Sequence, residues 1–134
     1  MPQALLIVDH GSTHAAANDM LEGVAEIIRR QRPDLIVKTA HMELAPPSIP
    51  DGIRACVQEG AREIVVHPYM LSPGRHATKD IPHMASEAAA EYDGIEIRVT
   101  GPLGLHDKIG EIVLERAGLV GSGSRAESET QAAG

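Results

Sequence analysis

The chain has no phenylalanine and no tryptophan, and Tyr69 and Tyr92 are its only aromatic rings. Stacking platforms for single-stranded nucleic acid are therefore missing. A formal net charge of −7 is the wrong sign for a duplex-binding surface. Cys56 is the only cysteine, so neither a disulfide nor a CxxC site can form within the chain. Flanked by Ala55 and Val57 on an expected helix, it reads as a small buried hydrophobe. No apolar run approaches the roughly 18 residues needed to cross a bilayer, and no basic N-terminal region leads into a long apolar stretch. Neither the phosphate-loop pattern GxxxxGK[ST] nor the dinucleotide pattern GxGxxG occurs. The expectation is a cytoplasmic protein with no membrane and no nucleic-acid partner.

What remains is aliphatic and regular. At 134 residues the chain can bury roughly two thirds of its unfolded surface in one domain. Strand and helix patterns alternate four times. The first strand covers about residues 3–9, and a helix runs from Ala15 to Arg32 with Met20, Leu21, Val24, Ile27 and Ile28 as its stripe. A second strand occupies about 35–42. Ser48 is placed to cap a helix with Pro50 in its first turn, Ile53, Cys56 and Val57 inward and Gly60 at its end. The third strand runs from Glu63 to His67 and stops at Pro68. A long loop from Tyr69 to His76 leads to a helix capped by Thr78 or Asp80 and reaching Tyr92. The fourth strand is Ile95–Val99, and the last helix Leu105–Ala117. The domain spans 1–120, and residues 121–134, without a large apolar side chain, are expected to be a disordered tail. Alternation of this kind predicts a doubly wound α/β fold with a four-stranded parallel sheet of order 2-1-3-4. Ligands bind such sheets beyond the carboxyl ends of the strands, where the order reverses.

Three residues stand at that edge. His10, Glu43 and His76 are spaced at equal intervals of 33 residues, each just past an aliphatic run. Two imidazoles and a carboxylate converging there would suit a divalent transition metal. Glu43 lies between Met42 and Leu44, and an acid in an apolar wall is costly unless paired or metal-bound. The segment from Pro68 to Pro82 has the length, prolines and exposed apolar residues of a ligand-gripping loop, and Arg75 and Lys79 bring positive charge to an acidic protein. The His10-Gly11-Ser12-Thr13 turn is also similar to the start of histidine phosphatases, but Asp9 stands where their arginine would meet a phosphate.

Three segments carry a more specific likeness: Leu6-Ile7-Val8-Asp9-His10-Gly11-Ser12, Met42-Glu43-Leu44-Ala45-Pro46-Pro47-Ser48-Ile49-Pro50, and the run from Val66 to Pro82. In order and spacing, over about residues 3–118, the chain resembles the sirohydrochlorin chelatases, the ATP-independent class II chelatases of the CbiX and SirB type. That resemblance implies a flavodoxin-like chelatase half-domain that inserts cobalt or ferrous iron (nickel in some members) into sirohydrochlorin. The product then feeds cobalamin or siroheme synthesis. It puts the catalytic histidines on His10 and His76 and the metal-binding acid on Glu43. It also implies a homodimer, because longer members hold two such domains in one chain. Ordinary chemistry adds apolar contacts to the macrocycle from Met42, Leu44, Met70, Leu71 and Pro73, and polar contacts to its carboxylates from Ser12, Thr13, Ser72 and Arg75. The metal would be a substrate, with no permanent cofactor. Asp9 replaces an expected glycine, and if turned toward the site it would alter metal preference. A carrier that binds metal or tetrapyrrole without catalysis is the main alternative, with phosphatase chemistry behind it.

Overall fold

A computed structural model describes residues 2–72 and 74–121, and for His76 the backbone alone. Four strands alternate with four helices: β1 (Gln3–Asp9), α1 (Ala15–Gln31), β2 (Ile36–His41), α2 (Ile49–Gln58), β3 (Glu63–Pro68), α3 (Arg75–Ala89), β4 (Glu96–Val99) and α4 (Asp107–Ala117). The chain forms two compact units, one up to Leu103 and one from Gly104.

The first unit holds the sheet, whose order β2-β1-β3-β4 with every pair parallel is the expected one. β1 carries an unbroken aliphatic run, Ala4 to Val8, because both of its faces are covered, and β3 carries the shorter run Ile64 to Val66. Ala4, Leu6 and Val8 face a core completed by Ile49, Ile53 and Cys56 of α2 and Ala77, Ile81 and Ala85 of α3. Ile7 and Val37 face the other way, against Leu21 and Ala25 of α1. Leu6, Ile53, Ile64 and Ile81 are fully buried, each worth about 1.5–3 kcal/mol relative to exposure.

The capping of α2 follows its sequence. Ser48 Oγ accepts from the Asp51 amide at 3.2 Å while the Asp51 carboxylate accepts from the Ser48 amide at 3.0 Å, and a proline occupies the first turn. The other helices depart from expectation. His14 is the first flanking residue of α1, and Ser12 Oγ accepts from the His14 amide at 2.9 Å. The Asn18 side chain brackets the Ser12 backbone, accepting from its amide at 3.0 Å and donating to its carbonyl at 2.8 Å. The stripe of α1 is also narrower. Leu21 and Ala25 are buried while Met20 and Ile27 are exposed, since each lies about 100° round the helix from the inward line. α3 begins at Arg75, three residues before the earlier of its two expected caps. Gly74 takes the flanking position, and Thr78 bonds back to the Gly74 carbonyl through its amide and its hydroxyl, both at 3.2 Å. His76 thereby moves from the expected loop into the first turn of a helix.

β2 is an outer strand. Beside it Arg29 of α1 donates from Nε (3.2 Å) and Nη2 (2.6 Å) to the Val37 carbonyl and pairs with Glu22 and Glu26. Lys38 pairs with Glu59.

In the second unit, His106 Nδ1 accepts from the Lys108 amide at 3.0 Å to cap α4, and Gly118, at φ +74°, ends it. The tail expected over 121–134 lies, from residue 122 onward, outside the described residues.

Candidate metal-binding site at the sheet edge

β1 and β2 run side by side with Asp9 opposite His41. Their ladder continues for two more bonds: the Met42 amide donates to the Asp9 carbonyl at 2.8 Å, and the Glu43 amide to the His10 carbonyl at 3.1 Å. His10 and Glu43, 33 residues apart in sequence, are thus backbone neighbours at the carboxyl edge. Both are exposed, and together with Met42, Gly74 and Asp80 they line an open cavity of about 270 Å³.

The turn after β1 is shaped by Gly11, at φ +91°. A Cβ on this residue would stand 1.8 Å from the Glu43 carbonyl oxygen and 3.1 Å from the His41 Cβ. Only glycine lets the two loops close on each other here. On the other loop Leu44 has φ +74° with 64% of its surface exposed, a left-handed backbone beside the site that costs a non-glycine residue about 1–2 kcal/mol.

Asp9 does not turn toward the cavity. Its Oδ1 lies 2.6 Å from Nδ1 of His41, whose side chain is 4% exposed. A carboxylate only accepts, so the His41 ring carries its proton on Nδ1 and donates it.

The other expected site residues divide into groups. Met42 is half-buried and lines the cavity, while Leu71, Ser72 and Arg75 are exposed around α3 and its approach. Ser12 is half-buried and Thr13 exposed in the turn after His10. Met70 differs from expectation. It is only 8% exposed and packs in the main core, because the inward alternation Ile64, Val66, Pro68 carries on past the strand to residue 70. The side chain of His76 and the whole of Pro73 lie outside the described residues. Among the described residues no group of three or more His, Cys, Asp or Glu is assembled to hold a metal, so His10 and Glu43 are the two described members of the expected trio.

Asp80 was expected only as a helix cap, and it lines the cavity instead. The available signal was its spacing four residues after His76, which is one helical turn once α3 starts at Arg75.

A doubly wound sheet with an imidazole and a carboxylate side by side at its carboxyl edge defines an α/β protein of the edge-binding class. The CbiX family model matches residues 4–120, and the chain belongs to that family. It is 45% identical over 112 residues to the chloroplastic sirohydrochlorin ferrochelatase of Arabidopsis thaliana, covering 84% of this chain and 50% of that protein. It is 30% identical to a sirohydrochlorin cobaltochelatase of Methanococcus maripaludis, covering 86% of this chain and 97% of that one. Among solved structures, the sirohydrochlorin chelatase SirB of Bacillus subtilis subspecies spizizenii in complex with cobalt superposes with a TM-score of 0.79 at 32% identity, covering 87% of this chain and 50% of that chain. The chain therefore spans about half the length of some curated relatives and nearly all of others. No helix among the described residues is long and apolar enough to cross a membrane.

Proposed function

We propose that this protein is an ATP-independent sirohydrochlorin chelatase, inserting cobalt or ferrous iron into sirohydrochlorin for cobalamin or siroheme synthesis. The observation that carries the reading is the pairing of His10 with Glu43 on one open cavity in a CbiX-family fold. Relatives named as cobaltochelatases and ferrochelatases support both metals.

His10, Glu43 and His76 take the hydrated divalent ion as a substrate and present it to the macrocycle. Insertion releases two pyrrole protons; a neutral imidazole accepts one near neutral pH and solvent at the open site takes the other. Met42, Leu44 and Leu71 offer apolar contact to the ring faces. Ser12, Thr13, Ser72 and Arg75 meet its peripheral carboxylates. A weak, open metal site fits an ion that must leave with the product. Two copies of the chain facing each other complete the assembly, which light scattering on the purified protein would test. The cytoplasm is the proposed location, to be checked by fractionation; the Arabidopsis relative is named chloroplastic.

The deciding experiment follows the optical spectrum of sirohydrochlorin mixed with cobalt or ferrous iron, with and without the protein. Faster metallation is expected, falling about a hundredfold in His10→Ala and in His76→Ala. Stoichiometric metal binding with a metallation rate equal to the protein-free control would replace the enzyme with a carrier.

A further inference from the structure

We propose that Asp9 and His41 are a positioning pair that fixes His10 and Glu43 relative to each other for metal capture. The inference rests on the chelatase reading above and adds to it two residues that touch neither metal nor macrocycle.

The pair occupies the last register row of the β1–β2 ladder, with Asp9 one residue before His10 and His41 two residues before Glu43. Earlier rows on this sheet face are Leu5 with Val37 and Ile7 with Thr39; Leu5, Ile7 and Val37 pack on α1, and the Thr39 hydroxyl donates to Glu22 at 3.1 Å. The last row has a carboxylate and an imidazole instead, joined at 2.6 Å, with the His41 side chain 4% exposed. A buried imidazole must be hydrogen-bonded to persist there, and two apolar side chains would have filled the row more cheaply. What the polar pair adds is direction. A charge-assisted bond sets an angle and a separation that apolar packing leaves loose.

The surroundings make that setting matter at the site. The His41 amide is held by the Pro47 carbonyl at 2.8 Å, and the Met42 and Glu43 amides by the carbonyls of Asp9 and His10. Gly11 closes over the row: a Cβ there would overlap the Glu43 carbonyl and press tightly on the His41 Cβ. The side-chain bond, the ladder bonds and the glycine contact together fix how far His10 stands from Glu43. Losing the side-chain bond lets the two loops drift, and ligands that drift bind metal more weakly.

The test titrates cobalt into the full-length protein by its ligand-field absorbance and measures metallation rate against cobalt and against sirohydrochlorin. In Asp9→Ala the metal Kd and the metal KM should both rise about tenfold while the sirohydrochlorin KM stays unchanged. Asp9→Asn keeps a carbonyl acceptor for Nδ1–H and should restore the metal KM to within about twofold of the parent, since the bond's geometry is retained. His41→Leu, which fills the space without a donor, should behave like Asp9→Ala and serves if that variant does not fold. A fall in thermal midpoint with an unchanged metal KM would make the pair purely structural and overturn the inference. Asn as damaging as Ala would also overturn it, by making the carboxylate itself a metal ligand. His10→Ala separates the two levels. If it keeps cobalt affinity, the site reading fails and takes the pair with it. If it loses affinity while Asp9→Ala and His41→Leu do not, the pair alone is wrong.

Discussion

Gly11 is the residue on which the site's closure depends most directly. Its φ of +91° and the 1.8 Å approach of a would-be Cβ to the Glu43 carbonyl leave a methyl group nowhere to go. Gly11→Ala must push the Glu43 loop outward, and displacement of this kind costs on the order of a hundredfold in rate. Metallation assays on the folded variant check this, with the urea midpoint as the stability control. Cys56 illustrates the opposite case. Fully buried, its thiol is pushed up to about 12, chiefly by desolvation, so it holds almost no thiolate at neutral pH. Iodoacetamide should leave the native protein unmodified for hours and label it fully in urea; rapid native labelling would contradict the buried assignment. At this scale His10 and Glu43 were legible because each follows a recognisable strand. The Asp9–His41 bond was not, because it depends on the register of two strands 32 residues apart, which no local pattern encodes.

Among elements, α2 is legible in the sequence nearly in full, since Ser48 and Pro50 mark a helix start; the structure adds Asp51, which completes the reciprocal cap. Ser48→Ala removes the hydroxyl half of that reciprocal cap and leaves the bond from the residue-48 amide to the Asp51 carboxylate; it should cost about 1 kcal/mol in chemical denaturation, with metallation little changed because the cap lies outside the cavity. The start of α3 was misread for a physical reason. Thr78 and Asp80 are good caps, but a hydroxyl can equally bond back to the preceding turn, and Thr78 does so to Gly74. The cap thus lies at Gly74, four residues before Thr78, which brings His76 and Asp80 onto one helix, one turn apart. For α1, the stripe expected from the sequence is too wide: Leu21, Val24, Ala25 and Ile28 pack against the sheet, while Met20 and Ile27 do not.

At the scale of the whole molecule, His67 is a traceable source of pH dependence below neutrality among the described residues. Its side chain is half-buried, and desolvation lowers its pKa below the ordinary value of 6.5. Nδ1 lies 2.8 Å from Thr100 Oγ1, whose own hydroxyl donates to the Gly101 carbonyl at 2.9 Å, so the neutral ring is the donor. In the unfolded chain this histidine protonates near pH 6.5, while the folded protein resists until lower pH. Its contribution is therefore complete above about 6.5 and is lost as pH falls through the folded value, because the unfolded state then binds more protons. The difference in urea midpoint between the parent and His67→Gln should shrink from about pH 7 to about pH 5. A difference that holds constant would refute the assignment.

The arginine clasp on the outer strand has a consequence for how copies of this protein can meet. With the Val37 carbonyl occupied by Arg29, and Lys38, Glu22 and Glu59 charged alongside it, β2 is a poor template for a foreign strand. Two copies that associate would not do so by pairing one β2 with the other. The same charged border opposes edge-to-edge stacking into intermolecular β-structure, a hazard for any open sheet at high concentration.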